Sequence, residues 1–175
     1  METVCLIGKP NVGKSTIFNR LIKEKKAIIM DTPGITRDRI YGTCNYKGKS
    51  FHLIDTGGIF ANKEKINENI IMQAELGIDE ADKILFIVDG LTDLDSSDYY
   101  VRDLLKKSNK DVYVVVNKLD NIERSSNVYY YYELGFPKLF AVSAEHNIGF
   151  DTLLDAITND MNDVEEPQDD SLKFC

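Results

Sequence analysis

The stretch Val4-Cys5-Leu6-Ile7-Gly8-Lys9-Pro10-Asn11-Val12-Gly13-Lys14-Ser15-Thr16 decides how the chain is read. It opens as a short apolar run, turns at Gly8 and runs into a helical pattern. Gly8 to Ser15 matches G-x-x-x-x-G-K-[ST], in the strand-to-helix context that this loop requires. Its glycines let the backbone curl so that successive N–H groups, from Gly8 through Asn11, Val12 and Gly13, face an anion. The helix beginning near Lys14 adds the positive end of its dipole. Lys14 would neutralise β- and γ-phosphates, Ser15 would offer its hydroxyl oxygen to Mg²⁺, and Thr16 could bind an α-phosphate. Alone, the loop indicates a nucleoside triphosphate without saying which.

On either side of this loop, short apolar runs alternate with helical patterns. Val4–Ile7, Phe51–Ile54, Ile84–Val88, Val112–Val116 and Leu139–Val142 read as buried parallel strands. Helical spacing falls at Ser15–Ile22, at Ile66, Ile70, Ile71 and Ala74 before Gly77, at Val101, Leu104 and Leu105, and at Leu153, Leu154, Ile157 and Met161. The alternation predicts a doubly wound α/β domain: a mostly parallel six-stranded sheet with helices on both faces. One strand, Tyr41–Tyr46, reads as antiparallel to Ser50–Ile54 through a turn at Lys47-Gly48-Lys49. The polar strand ends Gly8, Asp55, Asn117 and Ser143 should then meet in one crevice.

Composition narrows the class. The 175 residues suit one domain with a tail, and 43% hydrophobic with 29% charged residues suits an ordinary globular protein. A net charge of −8 argues against direct RNA binding by this chain. No apolar run approaches a membrane span, and Lys9 and Lys14 come too early for a signal peptide. Three cysteines without metal-ligand or C-x-x-C spacing suggest a reduced setting. The domain is expected over residues 1–162. Residues 163–175 open with five acids between Asp163 and Asp170 and read as an acidic tail or an interdomain linker remnant.

Three further motifs specify the nucleotide. Asp55 opens Asp55-Thr56-Gly57-Gly58, where P-loop proteins place an aspartate that holds Mg²⁺ and a glycine N–H that meets the γ-phosphate. The rival reading of Asp-Thr-Gly as an aspartic protease needs a second carboxylate loop, and Asp31-Thr32-Pro33 is a poor one. Asn117-Lys118-Leu119-Asp120 follows an apolar strand. The Asp120 carboxylate can accept guanine N1–H and the N2 amine together, a pair that adenine lacks. Lys118 can lay its stem over the base, and Asn117 can tie this loop to the phosphate loop. Ser143-Ala144 offers a backbone N–H toward guanine O6. Thr36 lies where a switch threonine would complete the Mg²⁺ shell while the γ-phosphate is present.

Taken together, these segments resemble the TRAFAC-class GTPases with a Ras-like fold, and most closely the first GTPase domain of the Der (EngA) family. The likeness runs through Gly8–Arg20, Asp31–Arg39, Leu53–Ile59, Asn117–Asp120, Leu134–Phe136 and Ser143–His146. It implies a cytoplasmic bacterial or organellar GTPase that binds GTP and GDP with Mg²⁺ and acts in large ribosomal subunit assembly. Family members carry a second GTPase domain and a KH-like domain, which this sequence lacks, so ribosome contact would fall to the full-length protein.

Catalysis is less plainly written. Lys14, Thr36, Gly58 and Asn11 are the candidate groups. Ile59 stands where many regulatory GTPases carry a water-orienting glutamine, which predicts slow intrinsic turnover, about 10⁻⁴ to 10⁻² per second. Asn11 matches the asparagine with which potassium-activated relatives hold K⁺; the other reading is that it stabilises the turn. Arg37 is a weaker candidate for a charge-stabilising finger in cis and reads rather as a salt-bridging switch residue. Two other functions stay open: a GTP-sensing module with negligible hydrolysis, and the GTPase domain of a tRNA-modification or RNA-binding relative. The run Tyr129–Tyr132 reads as a short helix with two rings packed inward, or as a base-stacking platform. His52 and His146 have no metal-ligand partner at useful spacing, and His52 is expected to face water.

Overall fold

A computed structural model describes residues 1–22, 28–32, 35–56, 66–120 and 126–163, with the backbone alone for 28–32, 35–40, 66–70, 73, 126 and 127. Among these the chain runs β1 (Thr3–Ile7), α1 (Lys14–Leu21), β2 (Ile28–Thr32), β3 (Ile35–Tyr46), β4 (Lys49–Asp55) and α2 (Ile66–Glu80). It continues with β5 (Lys83–Asp89), α3 (Ser96–Ser108), β6 (Asp111–Asn117), a 3-10 segment (Ser126–Leu134), β7 (Leu139–Ala141) and α4 (Phe150–Thr158). The sheet order is β2-β3-β4-β1-β5-β6-β7. Strands β4, β1, β5, β6 and β7 are mutually parallel, and β3 runs antiparallel to β4.

Side-chain alternation along the buried strands feeds two cores. On one face Val4, Leu6, Leu53, Leu85, Ile87 and Val115 pack with Ile17, Phe18 and Leu21 of α1 and Leu153, Leu154 and Ile157 of α4. On the other, Cys5, Ile7, Ile84, Phe86, Val88 and Val114 pack with Ala74 of α2, Val101 and Leu105 of α3, and Tyr131 and Leu134. Strands hidden on both faces have to be apolar at every position, hence the near-continuous runs. The expected mostly parallel sheet with its antiparallel strand and two helical layers is present. The hairpin turns on two residues, Lys47 (φ 46°) and Gly48 (φ 79°), both left-handed as the twist of a tight hairpin demands.

The sheet also extends further than the sequence reading. Strand β2 is a seventh strand, antiparallel to β3, and β3 begins at Ile35 rather than Tyr41. The segment that carries Thr36 therefore lies in an irregular antiparallel pair, with Met30 opposite Arg39, Thr32 opposite Ile35 and a register shift between them. The β-branched residues Ile28, Ile29, Thr32, Ile35, Thr36 and Ile40 favour a pleated backbone, and β2 pairs one edge of its backbone with β3.

Two helices differ as well. Helix α2 runs through Gly77 to Glu80. A Cβ at Gly77 would come within 2.7 Å of Ile7 Cδ1, so this glycine serves close helix–sheet packing. The tyrosine run forms a 3-10 segment in which residues three apart share a face. Val128, Tyr131 and Leu134 make the inner line, so one ring is buried where two were expected. Tyr129 and Tyr132, also three apart, stack outside with ring centroids 6.1 Å apart. His52 faces water as expected.

Candidate nucleotide-binding site

The carboxyl ends of β1, β4, β6 and β7 converge, as their polar residues predict. At one end of the crevice lies the loop from Gly8 to Ser15. Gly13 holds φ at 97°, and a Cβ there would come within 2.2 Å of Asn117 Nδ2, so neither conformation nor space admits a side chain. Asn11 also adopts a left-handed backbone (φ 68°), which asparagine tolerates, and its side chain is exposed.

Lys14 is buried, and its Nζ donates to the carbonyls of Gly8 (2.6 Å) and Lys9 (2.8 Å). Burial disfavours its charged form and lowers its pKa to about 8. Ser15 Oγ donates to Asp55 Oδ2 at 3.2 Å, and Thr56 Oγ1 donates to Leu6 O at 2.7 Å, fixing the chain beyond β4. Lys9 Nζ reaches Asp95 (3.0 Å) and Asp98 (2.9 Å), the two members of the capping box that starts α3. Ser15 and Asp55 thus present adjacent hard oxygens, a donor set that suits Mg²⁺. Thr36 lies in β3 by its backbone, and Gly58 lies outside the described residues.

Four elements make the other end. Asn117 Nδ2 donates to Val12 O (2.9 Å), while its Oδ1 accepts from Ala144 N (3.0 Å), so one buried amide joins the phosphate loop to the loop after β7. Lys118, at φ 69°, donates through Nζ to Asn11 O (2.7 Å) and Asp89 Oδ2 (2.9 Å). Asp120 Oδ1 accepts from Ser143 Oγ at 2.7 Å. Gly13, Thr16, Leu91, Asn117, Lys118, Asp120, Ala144 and Glu145 line a cleft of ≈ 250 Å³.

Ser143 and Ala144 differ from expectation. Their N–H groups are used inside the protein, Ser143 N to Ile148 O and Ala144 N to Asn117 Oδ1, both at 3.0 Å. A buried amide such as Asn117 needs a donor as well as an acceptor, and Ala144 supplies the donor. Ser143 instead steadies Asp120. His146 has nearer company than its sequence spacing suggests. The fold brings one ligand atom each of Asp120, Glu145 and His146 within 4.8 Å of one another, where the loop after β7, the base-side loop, meets Asp120 of the loop after β6.

Three residues of this arrangement went unread in the sequence: Asp89, Arg20 and Glu145. Asp89 was legible in principle, since it closes β5 as Asp55 closes β4. Arg20 was not, because its partners lie at positions 144 and 145.

Fold and site together define a P-loop nucleotide-binding protein with a Ras-like sheet. The model of the 50S ribosome-binding GTPase family matches residues 3–118, and the chain belongs to that family. Within it the chain is similar to GTPase Der of Limosilactobacillus reuteri, with 46% identity over 172 residues, and of Lacticaseibacillus casei, with 45% over 175. These alignments cover 98% and 99% of this chain but 39% and 40% of the relatives, so the chain spans about two fifths of their length. Among solved structures, Era in complex with MgGDPNP and a segment of 16S ribosomal RNA aligns at a TM-score of 0.74. Its identity is 30%, with 96% of this chain and 60% of that one covered. Aquifex aeolicus Era bound to GDP·AlF₄⁻ aligns at 0.71 and 29%, covering 97% and 61%. No described helix is long and apolar enough to cross a membrane.

Proposed function

We propose that this chain is a GTPase domain that binds GTP with Mg²⁺ and hydrolyses it to GDP and phosphate. Its nucleotide state would serve a larger protein acting in large ribosomal subunit assembly. The observation that carries the reading is the joining of Asp120 and the phosphate loop into one cleft through Asn117. A carboxylate is steadied where a base would lie, at a fixed distance from a phosphate cradle. Adenine would leave that carboxylate without its two donors, which makes guanine the matching base.

The residues divide the work. The Gly8–Gly13 backbone and Lys14 bind β- and γ-phosphates, and Thr16 the α-phosphate. Lys14 exchanges its carbonyl acceptors for phosphate oxygens. Ser15 and Asp55, with Thr36, would hold Mg²⁺, which when bound neutralises charge on the phosphates. Gly58 N–H meets the γ-phosphate. Lys118 covers the base with its stem, and Asp120 reads its edge. We assign this unit to residues 1–162 and take 163–175 as an acidic tail or linker remnant.

For turnover, Ile59 cannot orient water, and the reading in which Asn11 holds K⁺ supplies the missing positive charge. The left-handed backbone at Asn11 speaks equally for its role as a turn residue. Phosphate release from GTP and from ATP, in KCl and in matched NaCl, tests these points. Release from GTP alone, rising in KCl, is expected. Equal rates in the two salts remove the potassium role. Tight GTP binding without turnover would favour the GTP-sensing module, and turnover of ATP at the same rate would sink the guanine reading.

A further inference from the structure

The base-side loop is held by a residue far from it in sequence. Arg20 sits in the last turn of α1, and its guanidinium donates through Nε to Ala144 O (2.7 Å) and through Nη2 to Glu145 O (2.8 Å). One planar fork therefore grips two successive carbonyls. A trans peptide is planar, with its C=O and the following N–H pointing in opposite directions. Fixing Ala144 O on Arg20 thus turns the Glu145 N–H to the opposite side of that peptide, away from the guanidinium, in a segment where Ala144 and Glu145 line the cleft. The neighbouring donors are already committed: Ser143 N to Ile148 O, Ala144 N to Asn117 Oδ1, and His146 N to Ser143 Oγ.

We infer that Arg20 is a positioning residue for base recognition: it aims the Glu145 N–H at the six-position oxygen of the bound purine. This rests on the guanine reading above. Helix α1 then serves the nucleotide at both ends. Its first turn carries Lys14, Ser15 and Thr16 to the phosphates, and its last turn sets the wall that meets the base. At eight residues α1 is a short rigid strut, so the separation of those two functions is built into one element.

The test compares GDP with the diphosphate of 2-aminopurine riboside, which keeps the exocyclic amine and lacks the six-position oxygen. Both are titrated calorimetrically against the 175-residue chain and its Arg20→Ala variant. Loss of one aimed N–H should weaken GDP about tenfold. The 2-aminopurine nucleotide should change less than about twofold, because the lost bond was never available to it. Inosine diphosphate, which keeps the oxygen and lacks the amine, should fall with GDP.

An equal loss for all three nucleotides would make Arg20 a merely structural brace and overturn the inference, as would no loss at all. Should Arg20→Ala fail to show a cooperative melt, Arg20→Lys serves. A single ammonium can hold one of the two carbonyls, so the GDP to 2-aminopurine ratio should fall partway; a ratio unchanged from wild type overturns the inference. A wild-type chain that binds ADP as well as GDP would instead remove the guanine reading itself, a result visible before any variant is made.

Discussion

The two ends of the cleft are built by different means. The phosphate end is local: eight consecutive residues, Gly8 to Ser15, supply the cradle, and even Lys14 bonds within its own loop. The base end is assembled from residues more than 100 positions apart, with Asn117 bonded to Val12, Lys118 to Asn11, and Arg20 to Ala144 and Glu145. A local cradle is set by backbone conformation and recognises what all nucleotides share. An assembled wall is set by the whole fold and can discriminate among bases. Damage to the first should weaken every nucleotide alike, and damage to the second should change which nucleotide is preferred.

The largest effect should come from Asp120→Asn. Two charge-assisted hydrogen bonds at about 1.5–3 kcal/mol each correspond to roughly 10²- to 10⁴-fold weaker GTP binding. The amide can donate to an oxygen at the purine two-position, so xanthosine triphosphate should become the better ligand. Competition binding with GTP, xanthosine triphosphate and ATP reads the switch. Wild-type GTP affinity in this variant would break the assignment of the base end.

Lys14→Met should act differently, lowering GTP and ATP affinity by the same factor, on the order of a hundredfold for a buried charge-assisted contact. It also has a pH signature in the nucleotide- and Mg²⁺-free protein. The folded pKa near 8 lies below the ordinary 10.5, so between these values the unfolded chain holds a proton that the folded chain has released. Stability of the wild type relative to Lys14→Met should therefore rise with pH across that window, by up to about 3 kcal/mol. Denaturant melts at pH 7.5 and pH 10 measure it. A flat difference would mean that Lys14 is not buried as a charge.

The same contrast explains what could be read in advance. The phosphate loop, Asp55 and the Asn117–Asp120 segment were legible because each is a short run beside an apolar strand. The two helical layers followed from the alternation of such strands with helical spacing. Arg20 and Glu145 were illegible because their use depends on where α1 and the loop after β7 come to rest. Asn117's demand for the Ala144 N–H could not be seen for the same reason. The tyrosine run turns on its period: a spacing of 3.6 buries two rings of four, while the observed spacing of three buries Tyr131 alone. Strand β2 was not legible because its five residues pair, among the described residues, only with β3, which is itself placed by the hairpin with β4.

Asn117→Ala should cut the joint between the two ends. It leaves Val12 O and Ala144 N without their partner, at a cost of about 1–3 kcal/mol for buried groups. Unlike either preceding variant, it should lower thermal stability and GTP affinity together. Retained melting temperature with lost affinity would place Asn117 on the ligand alone and weaken the idea of a joint.

The smallest effect is expected where the joint is nearest to solvent. Lys118 bridges Asn11 O and Asp89 Oδ2, and its side chain is 35% exposed against 11% for Asp89. Asp89→Asn removes one charge and keeps the shape, so Lys118 loses attraction but not its place beside Asn11. Partial exposure limits such a pair to about 1 kcal/mol, a few-fold in GTP affinity, and the difference should shrink as salt is raised. Insensitivity to salt would mean that Asp89 positions Lys118 through hydrogen-bond geometry alone. A loss as large as that of Asp120→Asn would show that the base end depends on its outer support as much as on the group that reads the base, and the division between a recognising wall and its braces would have to be redrawn.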